Sequence, residues 1–248
     1  MARPPEACSR TPMSQRTLIT GSTRGIGFAV AQAILVAGGS AMITGRTRES
    51  VDAAVGSLQT TGAGDRVAGC VLDVRDAASV AAVIDATVAA FGGLDVVVNN
   101  AGVGMYSNVE TTTDDDWQAI LDTNLTGPFL VMRAAIPALR RAGGGWVVNI
   151  ASLAGAHPFA GGGGYCASKA ALIALSESAM AELRNDNIRV SVILPGSVAT
   201  LFSPNQSGDD SWKLSPEDVA EVVMDLLRHP ARSLPSRVEI RPSRPRKA

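Results

Sequence analysis

Short aliphatic runs alternate along this chain with longer Ala-rich stretches of helical period. The runs Arg16–Thr20, Ser40–Thr44, Arg66–Val71, Leu94–Asn99, Gly145–Ile150 and Ile188–Leu194 read as strands, with a late one near Arg237–Ile240. The segments between them, near Gly25–Ala37, Glu49–Thr60, Ala77–Phe91, Asp114–Arg141, Tyr165–Arg184 and Pro216–Leu227, read as helices. Strands that are aliphatic throughout, rather than alternating with polar residues, suit a sheet covered on both faces. Strand–helix alternation sustained over this length predicts an α/β fold with a doubly wound parallel sheet, whose ligand crevice lies beyond the carboxyl ends of the strands.

No internal repeat or linker divides the pattern, so one domain is expected from 14 to 248. Residues 1–13, with Arg3, Pro4, Pro5, Cys8 and Pro12, read as a disordered extension, and Met13 is a second candidate start. Within the long helical stretch, Gly127 and Pro128 follow Asn124, and a proline that removes a backbone donor predicts a kink there. Gly161–Gly164 reads as a mobile loop leading into the Tyr165 helix. Residues 200–214 read as a short substrate loop, closed by Ser215-Pro216 as a helix N-cap with proline in the first helical position.

Composition narrows the function classes. Hydrophobic residues make up 46% and aromatics 4%, so the core must be built from Ala, Val, Leu and Ile. A net charge of −1 leaves no basic footprint for nucleic acid and no polybasic patch for a membrane surface. No apolar run approaches the ~20 residues of a membrane span. Three cysteines (Cys8, Cys70, Cys166) and two histidines (His157, His229) offer neither a disulfide framework nor a metal site. No apolar signal segment precedes the first strand, and a cytoplasmic location is the expectation.

Two constellations carry chemistry. Tyr165 and Lys169, four residues apart, share one face of a helix. A phenol ionises near pH ~10, and an ammonium group one turn away favours the phenolate, which would pull that value toward neutrality. Ser152, at the end of a preceding strand, could hold a substrate oxygen beside them. The second constellation is the turn Thr20-Gly21-Ser22-Thr23-Arg24-Gly25-Ile26-Gly27 between the first strand and the first helix, a setting that brings backbone amides and a helix N-terminus to a pyrophosphate.

These motifs, together with Asn99-Asn100-Ala101-Gly102, resemble the short-chain dehydrogenase/reductase family in order and spacing from Thr17 to about Thr200. The resemblance implies a single-domain Rossmann fold of about seven strands. It also implies hydride transfer between a nicotinamide and a carbonyl or alcohol carbon. Tyr165 is then the acid–base group, Lys169 its partner toward the nicotinamide ribose, Ser152 the oxygen-binding hydroxyl and Asn124 the fourth member, at the helix distortion. Gly21 through Gly27, Asp73-Val74, Asn100-Ala101-Gly102, Pro195-Gly196, Val198 and Thr200 fall at the family's cofactor positions. The second strand ends in Gly45-Arg46, without the acid that would hold free ribose hydroxyls, so Arg46 and Arg24 resemble the NADP-preferring branch.

The expectation is an NADP(H)-dependent reductase or dehydrogenase acting on ketones, 3-oxoacyl thioesters or 3-hydroxy acids. It would work as a homodimer or homotetramer. Met105, His157, Phe159 and Trp212 are candidate pocket residues. The competing expectation is a regulatory or scaffold protein that keeps the nucleotide site without catalysis.

Overall fold

The structure is a computed structural model that describes residues 14–200, 202 and 210–244. The proposed extension with Cys8 and Met13, part of the substrate loop and the last basic residues lie outside the described residues. Seven strands form one sheet: β1 (Arg16–Ile19), β2 (Ser40–Gly45), β3 (Val67–Val71), β4 (Val96–Asn99), β5 (Gly145–Ile150), β6 (Ile188–Pro195) and β7 (Arg237–Ile240). Their order is β3-β2-β1-β4-β5-β6-β7, and every pairing is parallel. The helices are α1 (Gly25–Val36), α2 (Arg48–Leu58), α3 (Ala77–Phe91), α4 (Asp114–Leu121), α5 (Gly127–Arg141), α6 (Gly163–Leu183) and α7 (Pro216–Arg228).

The strands are aliphatic throughout because each buries both faces. Ile19, Val96, Val98 and Val148 pack with α1, α2 and α7, whereas their neighbours Leu18, Val97 and Val147 pack with α3, α5 and α6. Successive side chains thus enter opposite cores, as the strand period of two requires. The order reverses beside β1, between β2 and β4, and this topological switch point opens a crevice at the carboxyl ends of β1 and β4.

Three expectations change. The stretch Asp114–Arg141 is two helices, separated at Asp122–Thr126 by a π-type turn that contains Asn124. Pro128 stands in the first turn of α5, where its missing N–H costs little. The helix bearing Tyr165 starts at Gly163, so half of the expected glycine loop is helical. A Cβ on Gly164 would lie 3.1 Å from Ile120 Cδ1 and 3.4 Å from Trp117 Cε3; the glycine lets α4 approach α6, and this packing outweighs its poor helix propensity. Finally, Arg66 lies outside β3, in a tight turn where its guanidinium donates to the carbonyls of Leu35 (2.7 Å) and Gly39 (2.9 Å). At the other end of the chain, α7 carries the expected cap: Ser215 accepts from the Asp218 amide, and Asp218 accepts from the Ser215 amide.

Candidate active site

The glycine-rich turn sits at the switch point and is fastened from both sides. Gly21 (φ +63°) and Gly25 (φ +58°) hold left-handed backbone, which explains glycine at these two positions. Gly27 answers a different need: a Cβ there would lie 2.5 Å from Asn100 Nδ2 and 2.7 Å from Gly21 O. That cradle, open at the amino end of α1, fits a nucleotide pyrophosphate.

Several polar side chains placed at the cofactor are instead committed to the protein. The buried Ser22 hydroxyl donates to Ile19 O and accepts from Thr44 N, both at 2.9 Å. Asn100 Nδ2 donates to Thr20 O (3.0 Å) and Gly21 O (2.9 Å), while the amides of Asn100 and Ala101 donate to Thr20 Oγ1. The Ser22 hydroxyl and the Asn100 amide nitrogen therefore shape the turn. Ile26 and Val198 pack against the core, and Val74 covers Gly127. Pro195 ends β6, where the Gly196 amide donates to Ile240 O. Thr200 crosses to the turn, its Cγ2 lying 3.5 Å from a Cβ built on Gly25. Asn99 and Asn149 tie β4 to β5 through a side-chain hydrogen bond, Asn99 Nδ2 donating to Asn149 Oδ1 at 2.8 Å.

At the rim, Arg24 and Arg46 are exposed, and Thr23 packs where a Gly45 side chain would stand. The space at Gly45 thus belongs to the turn itself. Arg46 lies close enough to lower the Asp73 pKa slightly, but the main hold on that carboxylate is Arg75, which donates from Nε and Nη2.

Deeper in the crevice, Tyr165 and Lys169 are both buried, on the first turns of α6. Lys169 Nζ lies 5.9 Å from the Tyr165 ring centroid and donates to Ile150 O at 2.9 Å. Ser152 follows β5; its hydroxyl caps the next turn at Ala154 N (3.1 Å) and stands near enough to the Tyr165 phenol to favour its ionised form. Asn124 is fully buried in the π-type turn, accepting from Val103 N (2.8 Å) and donating to Val103 O (3.0 Å) and Ser168 Oγ (3.1 Å). Ser168 in turn donates to Tyr165 O at 2.8 Å. The four expected catalytic residues therefore converge, with Asn124 and Ser168 fixing the backbone around the tyrosine.

The electrostatics correct one expectation. Burial pushes the Tyr165 phenol well above its ordinary value, with smaller upward pushes from Tyr106 and Cys166, and the Ser152 hydroxyl only partly opposes this. Lys169, nearly six ångströms from the ring centroid, does not reverse the balance. Its own pKa is pulled down by burial to about 8. Sequence spacing placed the pair on one face but gave no measure of its depth.

Two aromatics escaped the sequence reading. Tyr106 meets the Tyr165 ring edge-on at 5.5 Å between centroids and Phe159 at 5.8 Å, and Phe202 lies 6.0 Å from Tyr165. No local periodicity marks Tyr106 or Phe202; the rarity of aromatic residues was the one usable signal. Of the candidate pocket residues, Phe159 joins this group. His157 instead faces Arg241 (3.1 Å), and Trp212 lines a separate hollow of about 630 Å³ between α7 and residues 240–244. Another hollow, of about 510 Å³, opens at the amino ends of β1, β4 and β5, the end of the sheet opposite the carboxyl-end crevice. Among the described residues no cluster of His, Cys, Asp or Glu could hold a metal, and no helix is long and apolar enough to cross a membrane.

Comparison with known proteins agrees with this geometry. Residues 15–210 match the family model for short chain dehydrogenase. Dehydrogenase/reductase SDR family member 4 from Homo sapiens is 34% identical over 236 residues, covering 90% of this chain and 84% of the relative. An uncharacterized oxidoreductase of Staphylococcus aureus (strain MW2) is 30% identical over 225 residues, covering 91% and 96%. Among solved structures, an alcohol dehydrogenase from the archaeon Thermococcus sibiricus, complexed with 5-hydroxy-NADP, superposes with a TM-score of 0.84 at 28% identity, covering 94% of this chain and 99% of that one.

Proposed function

The chain belongs to the short-chain dehydrogenase/reductase family, and we propose that it is an NADP(H)-dependent oxidoreductase interconverting a carbonyl and a secondary alcohol. The observation that carries the cofactor choice is Arg46, exposed directly beyond β2 where no carboxylate stands. A guanidinium there offers a planar donor fork to a ribose phosphate, and Arg24 adds a second charge. The bound NADP analogue of the archaeal relative supports the same choice. The turn from Gly21 to Gly27 would hold the pyrophosphate, Asp73 the adenine edge, and Lys169 the nicotinamide ribose. When bound, the nucleotide supplies or accepts a hydride.

The chain's own groups manage the proton. Burial keeps the Tyr165 phenol protonated at neutral pH, so it can give its proton to an oxygen that becomes negative as a carbonyl is reduced. Ser152, whose hydroxyl stands near that phenol, orients the same oxygen. Lys169, held near pH 8, exchanges protons readily at working pH. In the reverse direction the phenol first gives up its own proton toward solvent, and the phenolate left behind receives the alcohol proton. By resemblance to the family we extend the proposal to a cytoplasmic homodimer or homotetramer built on one catalytic domain. A purely regulatory nucleotide binder would have no use for the acid–base set.

The test is an NADPH-oxidation screen across ketones, aldehydes, 3-oxoacyl thioesters and quinones, with reverse assays on 3-hydroxy acids, and nucleotide affinities measured beside it. NADPH should bind more tightly than NADH, and Arg46→Ala should remove most of that difference. Equal affinities in the unmodified chain would refute the cofactor assignment; nucleotide binding without turnover of any substrate would favour the regulatory reading.

A further inference from the structure

The wall around Tyr165 points to a substrate class, given the oxidoreductase reading on which this step rests. Four of the chain's ten aromatic side chains (five Phe, two Tyr, three Trp) gather here: Tyr106, Phe159, Tyr165 and Phe202. In a protein with so few, chance packing elsewhere in the core would spread them. Nor are they core residues: Tyr106 is 46% exposed, Phe159 49% and Phe202 38%, while only the catalytic Tyr165 is buried. Exposed rings grouped beside a reactive group mark a ligand surface.

The rings are held in place. Phe202 lies against Gly104, where any side chain would collide with it, and Phe159 lies against Gly162 in the same way, with a Cβ there 2.6 Å from the ring. Ser107 and Gly162 are joined by a parallel bridge, so the two loops that carry Tyr106 and Phe159 form one rim. Neighbouring rings stand 58–81° to one another, leaving their faces and edges open to a flat guest.

Among the described residues, the loops of the rim carry no cation of their own: segments 102–109, 152–168 and 197–200, with Phe202, contain neither Arg nor Lys. Lys169, the nearest ammonium, is buried and bonded to Ile150 O. A substrate carboxylate or the phosphates of an acyl thioester would find no cationic partner on these loops.

We infer that the substrate is a flat, uncharged aryl carbonyl compound, with Tyr106, Phe159 and Phe202 as its specificity-determining residues. Its carbonyl is reduced to the alcohol, the oxygen taking the Tyr165 phenol proton and the nicotinamide nucleotide serving as reductant.

Two matched pairs test this with the full-length chain and NADPH. Acetophenone against cyclohexyl methyl ketone compares a flat with a puckered ring on one skeleton. Ethyl benzoylacetate against benzoylacetate adds a carboxylate to one framework. In each pair kcat/KM should favour the first member by roughly tenfold or more, the scale of one to two ring–ring contacts. In Tyr106→Leu, and independently in the more exposed Phe159→Leu, the acetophenone-to-cyclohexyl ratio should fall by about an order of magnitude. A ratio near one in the unmodified enzyme, a ratio unmoved by both variants, or preference for benzoylacetate or a 3-oxoacyl thioester would overturn the inference while leaving the oxidoreductase reading intact. No reduction of any carbonyl with either nucleotide would overturn both.

Discussion

Replacing Lys169 by methionine should make the protein respond less to pH, and below pH 8 it should not destabilise it. The ammonium is buried, and its pKa falls from 10.5 to about 8 because burial penalises the charged form. At about 1.36 kcal/mol per pKa unit, holding it charged costs roughly 3 kcal/mol at pH 7. Its bond to Ile150 O returns part of that, on the order of 1.5–3 kcal/mol for a charged donor. Lys169→Met removes both, so at pH 7 the variant should be equal in stability or up to ~2 kcal/mol more stable.

The pH dependence separates the two contributions. A lysine with a lowered folded pKa binds fewer protons folded than unfolded between pH 8 and 10.5, so wild-type stability rises with pH across that window and falls as pH drops through 8. Urea unfolding of both chains from pH 7 to 10.5, under reducing conditions for Cys70 and Cys166, gives the difference at each pH, and other titrating groups cancel. Wild type should gain about 3 kcal/mol on the variant over the series. A difference that stays flat within ~0.5 kcal/mol would refute the claim that burial dominates this lysine.

Three further outcomes follow from the same geometry. Gly27→Ala places a methyl 2.5 Å from Asn100 Nδ2 and 2.7 Å from Gly21 O; it should cost ~1–3 kcal/mol in urea unfolding and abolish nucleotide binding in a fluorescence titration, and tight binding would contradict the close-packed turn. Ser22→Ala leaves the Thr44 amide without its buried acceptor and should lower stability by about 1–3 kcal/mol; a neutral variant would mean that the hydroxyl does not join β1 to β2. Asp73 is held below the ordinary carboxylate range first by its hydrogen bond to Arg75, a stabilisation present above the ordinary carboxylate pKa and lost as pH falls through the folded one. Arg75→Ala should raise the Asp73 pKa in an NMR titration, and an unchanged value would assign the shift elsewhere.

The sheet was legible because parallel strands buried on both sides carry no alternation to misread: Val96-Val97-Val98 feeds both cores at once. The break at Asn124 was legible because Gly127 and Pro128 are local signals. Gly163 and Gly164 were not, since Gly163 lies against Val109 and Gly164 against Trp117 and Ile120 of another helix, contacts far away in sequence. The cofactor motif revealed which residues gather but not what they bind; the Ser22 hydroxyl and the Asn100 amide nitrogen are spent on the protein backbone. Residue spacing likewise placed Tyr165 beside Lys169, yet burial, a property of the whole fold, sets the direction of both pKa shifts.

The central claim is that the Tyr165 phenol transfers the proton in a nicotinamide-dependent reduction. Its most direct test is Tyr165→Phe, which removes one oxygen from the centre and keeps the ring, assayed by NADPH oxidation with the best carbonyl found for the unmodified chain and by NADPH binding in parallel. The account predicts a loss of kcat of at least two orders of magnitude, in the range of general acid catalysis, with nucleotide affinity retained within a few-fold. Turnover at the unmodified rate would contradict it.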